Sequence, residues 1–421
     1  MSFIYVNLGP KGNLLARGTV SVSPAEAAVA PKAGLYDSDP STPHIAGSIA
    51  ADSYMRVQCN LVTNGDFETS TLSGWTSENS GAGVAPAEET GGGNYRSGSK
   101  SVYLSTGFGS SPVSKVYQDI TVNAGESIKV SAWVKTASTD HTGAVVLRNL
   151  KTGQYYNGST NTWGAFGAGS YVGSSTATSF TQITETLTVE DFDTCRADTV
   201  TLRLSLELLT SGVFTGGVYF DDVLVVPGVS FCGIFGHNYG NVISPLVQSS
   251  DDASSWTTRA TMTIARPAFY STFSIIYAEY WQIKLSGTNH EAPYTGEAVL
   301  GQYTTSTTAP MWGLPKTRNT PGSRSRGPSG RPHVYTYAID PPQDIELTFS
   351  ARTAAASREL ADGLWLRSGQ GLYPVVLVPI DTEADVYFGR FMDPVTVERP
   401  FQGVYRTTLA LVGDPFPSVG L

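Results

Sequence analysis

At 421 residues the chain is long enough for about two to four domains, each able to bury its own core. With 44 Gly, 24 Pro, 21 Tyr and only 15% charged residues, it reads as a turn-rich β protein rather than a helical bundle. Its formal net charge of −9 argues against a nucleic-acid binder, which needs a surplus of Lys and Arg to neutralise phosphate, so no nucleic acid is expected as a partner.

In chain order, Met1 to Pro10 carries Phe3-Ile4-Tyr5-Val6, a short strand or arm that ends at Gly9-Pro10 and is expected to dock on a neighbouring surface. No basic segment followed by an apolar one opens the chain, and no apolar run approaches the roughly 20 residues of a membrane span. A soluble cytosolic chain without membrane insertion is therefore expected. Thr19-Val20-Ser21-Val22-Ser23 alternates with period two, Pro24, Pro31, Pro40 and Pro43 punctuate a loop, and Tyr54-Met55-Arg56-Val57-Gln58 alternates again. The pattern resumes only at Phe231 to Gly240, then at Ser249 to Trp256 and Glu279 to Leu285. Residues 1–59 and 229–303 thus read as an arm plus two halves of one β-sandwich, parted by an insert at 60–228.

Inside the insert, Val200, Leu202, Leu204, Leu206 and Leu208 share one face of a half-buried strand, and Ile128, Val130, Ala132 and Val134 make a similar face. Trp133 points the other way, beside Ser131 and Lys135. Near the end, Phe220, Asp222 and Leu224 fall on one face, which aims the Asp222 carboxylate at the core, where hydrogen bonds or a cation must compensate it. The three cysteines, Cys59, Cys195 and Cys232, follow no metal-ligand spacing, and reduced thiols are the default. Cys59 and Cys232 flank the insert, so a bridge between them is the alternative.

From 304 to 342 the chain becomes rich in Thr, Ser, Pro and Gly and carries Lys316, Arg318, Arg324, Arg326 and Arg331 without an acid between Met311 and Ile339. Too little apolar surface is present for it to fold alone, so it reads as a linker or as an arm laid on an acidic neighbouring subunit. Residues 343–421 combine strands with a helix expected at Ala354 to Leu366. The fold class is accordingly mainly β: a β-sandwich host domain with an inserted β jelly roll, then a smaller mixed α+β C-terminal domain.

The five histidines form no His-Glu-x-x-His pair, and neither a Gly-x-Ser-x-Gly elbow nor a phosphate loop occurs, so no catalytic residue is assigned and no enzyme is expected. His237-Asn238 sits among Gly233, Gly236 and Gly240 and reads as a tight bend that satisfies backbone groups. Sugar binding needs aromatic faces and short polar groups together. Tyr155, Tyr156, Asn157, Trp163 and Phe166 supply both in one stretch, with Trp133 as a possible floor; the alternative is that Trp163 and Phe166 cap the sandwich edge or pack on another subunit.

Two resemblances add to this reading. The strand leading to Gly-His-Asn-x-Gly at Gly236, the Ser-x-Asp-x-x-x-x-Trp turn ending at Trp256, the Tyr-Trp-x-Ile-x-Leu strand at Tyr280 and the loop Leu35-Tyr36-Asp37 to Pro43 resemble the discoidin-type, galactose-binding-like sandwich of tailed-bacteriophage virion proteins. Asn64-Gly65-Asp66-Phe67-Glu68, Gly74-Trp75, Ser97 to Leu104, Ser127 to Lys135 and Phe220-Asp221-Asp222-Val223 are similar to family 4/9-type carbohydrate-binding modules, which are β jelly rolls. This second resemblance implies a structural calcium held by Asp66 or Glu68 with Asp222, hydrogen bonding without metal being the alternative; no other cofactor is required. Together they imply a virion structural protein, of the tail or its distal apparatus, assembled in the host cytoplasm. Its partners would be other virion proteins and copies of itself, with the jelly roll reaching host surface polysaccharide. The alternatives are a capsid decoration or fibre-anchoring protein, and a stand-alone glycan-binding or glycan-degrading protein.

Overall fold

The computed structural model describes residues 3–7, 12–23, 32–36, 44–45, 52–69, 72–80, 84–106, 113–167, 169–189, 199–210, 216–239, 244–264, 268–286, 294–306, 316–318, 322–326, 332–336, 343–351, 365, 374–378, 386–391, 396–401 and 404–413. Apart from short 3-10 turns at Leu14–Ala16 and Lys32–Leu35, the regular elements among them are β-strands. The chain divides into two compact units, one made of Asn60–Phe192 with Thr199–Gly228, the other holding Met1–Cys59 and Val229–Leu421.

The first unit is a sandwich of two antiparallel sheets. One sheet runs Thr162–Gly164, Tyr155–Asn157, His141–Asn149, Thr199–Thr210, Val113–Asn123 and Thr76–Ser80, with Gly173–Ser175 also paired to His141–Asn149. The other runs Thr181–Thr188, Ser127–Thr136, the first part of Gly216–His237, Ser101–Thr106 and Ala87–Glu89. Because side chains alternate between faces, the two apolar sets expected to point inward do so. Val200 to Leu208 and Ile128 to Val134 at those positions are 4% exposed or less and share one core with Val102, Leu104 and Phe220.

The ends of this unit are tied together by Asn60, whose Oδ1 accepts from the backbone of Val62 and of Val225, both at 3.1 Å. Leu61 N donates to the Val225 carbonyl at 2.8 Å. Gly65 lies so close to the closing strand that a Cβ would come 2.0 Å from the Val223 carbonyl oxygen, so glycine alone fits there. Phe67 and Trp75 pack at 5.4 Å, and Trp75 Nε1 donates to the Asn64 carbonyl at 3.1 Å. Asn-Gly-Asp-Phe is thus a packing motif that closes the module.

In the second unit the two halves of the sandwich interleave. Its five-stranded sheet runs Thr257–Thr261, Ser244–Ser250, Tyr280–Ser286, Asp52–Gln58 and Thr19–Ser23. Against it pack the later part of Gly216–His237, Tyr294–Gly301, His44–Ile45 and Ala268–Tyr277. Met55, Val57, Ile234, Trp281, Ile283 and Leu300 fill the space between. Cys59 and Cys232 lie in this core as free thiols, so the bridge considered between them does not form; burial pushes the Cys232 thiol far up. Cys195 lies outside the described residues.

Three expectations are corrected by the pairing of the C-terminal region. Its sheet runs Thr304–Ser306, Phe3–Asn7, Val375–Val378, Tyr387–Phe391, Val404–Gly413, Gln343–Ala351 and Lys316–Arg318, with Thr396–Phe401 also on Val404–Gly413. Phe3–Asn7, expected to reach a neighbouring surface, is instead held between two strands of its own chain, where Ile4 and Val6 are buried. The 304–342 segment, expected as a linker or arm, contributes strands: Lys316 and Arg318 lie on a strand paired with Gln343–Ala351, and Arg324 and Arg326 on a hairpin with Pro332–Thr336. Backbone pairing supplies what its poor apolar content does not. Arg331 lies outside the described residues. The α+β expectation finds no support, since the described C-terminal elements are strands; the helix expected at Ala354 to Leu366 lies outside the described residues except for Trp365. Val6, Phe231, Phe235, Val299, Val376 and Phe388 form a common core, so sandwich and C-terminal sheet are packed together.

Candidate functional site

The acids proposed for calcium are placed by a β-bulge. Register shifts between Asp221 and Leu224 where the closing strand pairs with Ser127–Thr136, and Asp222 takes the left-handed conformation, φ 46°. The extra residue reverses the alternation: Asp221, not Asp222, is the buried acid, at 0% exposed, while Val223 turns inward. Asp221 Oδ2 accepts from Arg96 N at 2.6 Å and Ser97 N at 3.1 Å, and its Oδ1 from Asp222 N at 2.8 Å. Burial nevertheless pushes its carboxyl up to about 6, against the pull of those donors. Asp222 accepts from Ser97 Oγ at 2.6 Å.

Glu68 is similarly engaged. Its Oε1 accepts from Ser99 N at 2.7 Å and Lys100 N at 2.8 Å, and its Oε2 from Ser99 Oγ at 2.8 Å, which holds its carboxyl below the usual range. Asp66 caps Glu68 N at 3.4 Å. A calcium cage needs oxygens turned towards a common centre. Here the carboxylates of Glu68 and Asp221 face fixed N–H groups of Arg96 to Lys100, whose positive ends repel a cation. Of the three acids expected to hold calcium, Glu68 is turned to N–H donors, Asp66 and Asp222 each accept one nearby bond, and no group of three or more His, Cys, Asp or Glu suited to a metal occurs among the described residues.

The aromatic stretch folds into the hairpin Tyr155–Asn157 with Thr162–Gly164, and alternation splits its rings between two destinations. Tyr156 is 2% exposed, packs edge-on against Trp163 at 5.5 Å and donates to Asn161 Oδ1 at 3.2 Å; burial raises its phenol. Trp163 is half-buried against the core and donates from Nε1 to the Thr188 carbonyl at 3.3 Å. Burial takes Tyr156 out of the ligand set, whereas Trp163 packs on the sandwich edge, the alternative already open for it, and stays partly exposed. Asn157 shapes the turn by accepting from Ser159 N at 3.0 Å and Ser159 Oγ at 2.7 Å. Tyr155 and Phe166 stay outside, edge to face at 5.0 Å, with Phe166 71% exposed. Trp133 is outward on the other sheet, under the Arg96 guanidinium at 4.5 Å. It pairs with Gln182, whereas Trp163 reaches Thr188, which pairs with Ser127. Six residues of strand, about 20 Å, separate the two positions, so Trp133 is no floor for the hairpin.

What joins Tyr155 instead is a row that crosses four strands, Tyr155, Arg148, Arg203 and Asp119, all outward on the first sheet. The Arg148 guanidinium lies 5.3 Å over the Tyr155 ring, and its buried Nε has no hydrogen-bond partner among the described residues. Arg203 lies 4.0 Å over Tyr117 and grips Asp119 through Nε at 2.8 Å and Nη2 at 3.0 Å, which raises its pKa further. Val146 and Ser205, 4% exposed each, are recessed on the same face in the row with Tyr117. The face is a polar strip about 14 Å wide across the strands, with rings at both ends. Sequence reasoning missed Arg148, Arg203, Asp119 and Tyr117; an aromatic or charged residue at the outward positions of strands already assigned was the available signal.

His237 and Asn238 are structural, as expected of a tight bend. His237 is 5% exposed between Tyr239 and Phe269, and its Nδ1 accepts from Tyr239 N at 3.2 Å. Asn238 Oδ1 accepts from Tyr294 N at 2.9 Å, and the Tyr239 hydroxyl is bonded to Thr295.

No protein-family model matches the chain, and no curated protein matches it. Solved structures similar to part of it include the enzymatically active domain of bacteriophage CBA120 tailspike protein 4, at 15% identity and TM-score 0.29 over 40% of this chain and 21% of that one. The match thus spans about a fifth of the length of that solved domain. Others are TmCBM61 in complex with β-1,4-galactotriose, at 17% identity and TM-score 0.27 over 40% of this chain and 98% of the module, and a family 11 carbohydrate-binding module from Clostridium thermocellum, at 10% identity and TM-score 0.25 over 38% and 92%. By its own sheet order and core, the chain is a mainly β protein built of antiparallel sandwiches, one of them inserted within another.

Proposed function

We propose that the inserted module binds glycan without turning it over, along the outward row Tyr155, Arg148, Arg203 and Asp119 with Tyr117 beside it. The observation that carries this reading is the juxtaposition of two ring faces with a fixed arginine-carboxylate pair on one exposed sheet face. Rings cover the apolar face of a pyranose, and the charged pair, already neutralised, offers donors and acceptors to its hydroxyls. We further propose that the chain is a structural component of a tailed-phage virion, in the tail or its distal apparatus, contacting other virion proteins and copies of itself. The resemblance at Gly236, Trp256 and Tyr280 supports this placement. So does the insertion itself: a guest whose ends are tied at Asn60 and Val225 adds a surface feature without disturbing the scaffold's pairing. Repeated copies would turn weak single-site binding into avidity.

Glycan arrays with the full chain test the binding reading: Tyr155→Ala and Arg203→Ala should each lose binding that wild type shows, with no release of reducing ends by any form. Wild type that retains no glycan would overturn it. Gold-labelled antibody against residues 60–228 on purified virions tests the placement. Label at the tail end supports it, label over the head favours decoration, and absence from particles sinks the virion reading.

A further inference from the structure

The turn Ser249 to Trp256 and the strand Tyr280 to Leu285 belong to the scaffold unit, and the glycan face proposed above uses neither. The turn is fastened by Asp252, whose Oδ1 accepts from Ser254 N at 2.9 Å, Ser255 N at 2.7 Å and Ser250 Oγ at 2.8 Å; these donors hold its carboxyl far below the usual range. Trp256 is thereby carried over the outer face of the five-stranded sheet, where its ring lies 4.8 Å from the Arg56 guanidinium carbon. Tyr54, two residues before Arg56 on the same strand, lies 3.8 Å from that carbon. The guanidinium is stacked by two rings.

Its edge is set by a relay of amides. Arg56, Gln282, Gln248 and Thr258 occupy one cross-strand row, outward on adjacent strands. Arg56 Nε donates to Gln282 Oε1 at 2.7 Å, Gln282 Nε2 to Gln248 Oε1 at 2.5 Å, and Gln248 Nε2 to Thr258 Oγ1 at 2.9 Å. Gln282 is only 4% exposed and is bonded at both ends, so it cannot turn its oxygen away from Arg56. The amides fix the arginine without touching its charge. The Nη groups have no hydrogen-bond partner among the described residues.

From this we infer that the Arg56 face binds the carboxylate of an acidic sugar, a hexuronate within a glycan. A guanidinium with Nε tethered and two rings packed against it presents its two Nη groups as a preorganised fork, which matches a carboxylate in a bidentate way. Preorganisation removes the rotamer cost that an ordinary surface arginine meets on binding. Tyr54 and Trp256 offer ring edges and faces for a pyranose, and Gln248, Thr258 and Gln58 supply groups for its hydroxyls. The site is separate from the module's face and does not depend on the glycan reading proposed for it.

The test is calorimetric titration of the full chain with oligogalacturonate, with a neutral galacto-oligosaccharide of equal length, and with poly-glutamate. Oligogalacturonate should bind at least about tenfold tighter than the neutral probe, and Arg56→Lys, which keeps charge but loses the fork, should weaken it by about tenfold. Gln282→Glu sets a carboxylate against Nε and neutralises the guanidinium, at the cost of the donor to Gln248 Oε1, and should weaken oligogalacturonate by a similar factor in protein that circular dichroism shows to be folded. Excess neutral glycan should not displace the uronate, which keeps failure here distinct from failure of the module's site. Equal affinity for neutral and acidic glycan, or wild-type affinity in Arg56→Lys, overturns the inference; poly-glutamate binding as tightly as the uronate overturns the sugar assignment.

Discussion

Both units place an arginine over a tyrosine on an outward sheet face, and they differ in what holds its Nε. On the module, Arg203 lies over Tyr117 and is gripped by Asp119, so its charge is spent within the protein. On the scaffold, Arg56 packs against Tyr54 and Trp256 and is held by the neutral amide of Gln282, so its charge remains available. At these two arginines the same stacking device leaves a neutralised pair in one case and an unpaired charge in the other, while Arg148, on the module's row, is stacked on Tyr155 without a carboxylate partner among the described residues.

The comparison can be sharpened in order of expected effect. The largest effect separates the units by pH, because the module holds Asp221 with a carboxyl raised from 3.8 to about 6. A raised folded-state pKa means that the protonated form favours folding: the contribution is complete below pH 4 and lost as pH rises through about 6, at most about 3 kcal/mol at 1.36 kcal/mol per unit. Hydrogen exchange localised to residues 60–228 should show protection falling across that window, and Asp221→Asn should flatten the fall. A protection factor there, corrected for the intrinsic pH dependence of amide exchange, that does not change between pH 4 and 6 would count against it.

Next, Tyr155→Ala should weaken neutral-glycan binding by about 2 kcal/mol, roughly thirtyfold in Kd, as for aromatic anchors that a ligand covers. Asp119→Asn should break the comparison from the module's side. Freed of its carboxylate, Arg203 should come to resemble Arg56, so affinity for oligogalacturonate should rise several-fold while thermal stability falls by no more than about 1 kcal/mol, the pair being partly exposed. An array profile identical to wild type would show that Arg203 is not in the site. A smaller effect comes from Asp252→Ala, which frees the turn that carries Trp256 and should weaken oligogalacturonate a few-fold, read by calorimetry. Finally, chelator or added calcium should leave the thermal midpoint of the module unchanged; a calcium-dependent rise would show that Glu68 and Asp221 release their N–H donors to a cation.

Much of the fold was legible because it depends on local pattern. Period-two alternation placed Leu202, Leu204 and Leu206 in the core, and the interruption at 60–228 was readable from where that pattern stopped and resumed. The face of Asp222 was misread because a bulge adds one residue, and a left-handed φ at an aspartate leaves no mark in the alternation around it. Tyr155 and Tyr156 are neighbours of one type, and which is buried depends on the register of a hairpin edge against the sandwich. The strands of the 304–342 segment were missed because they are held by backbone pairing, in part within a local hairpin, and their sequence carries no alternating apolar face.

By itself, then, the sequence determined what each strand buries, since burying apolar side chains at alternate positions is a property of the strand alone. It determined neither face. Arg203 meets Asp119 and Tyr117 only through the pairing of Thr199–Thr210 with Val113–Asn123, and Arg56 meets Gln282, 226 positions away, only through the pairing of Asp52–Gln58 with Tyr280–Ser286. Sheet register decides which outward side chains become neighbours, and register is a property of the folded whole.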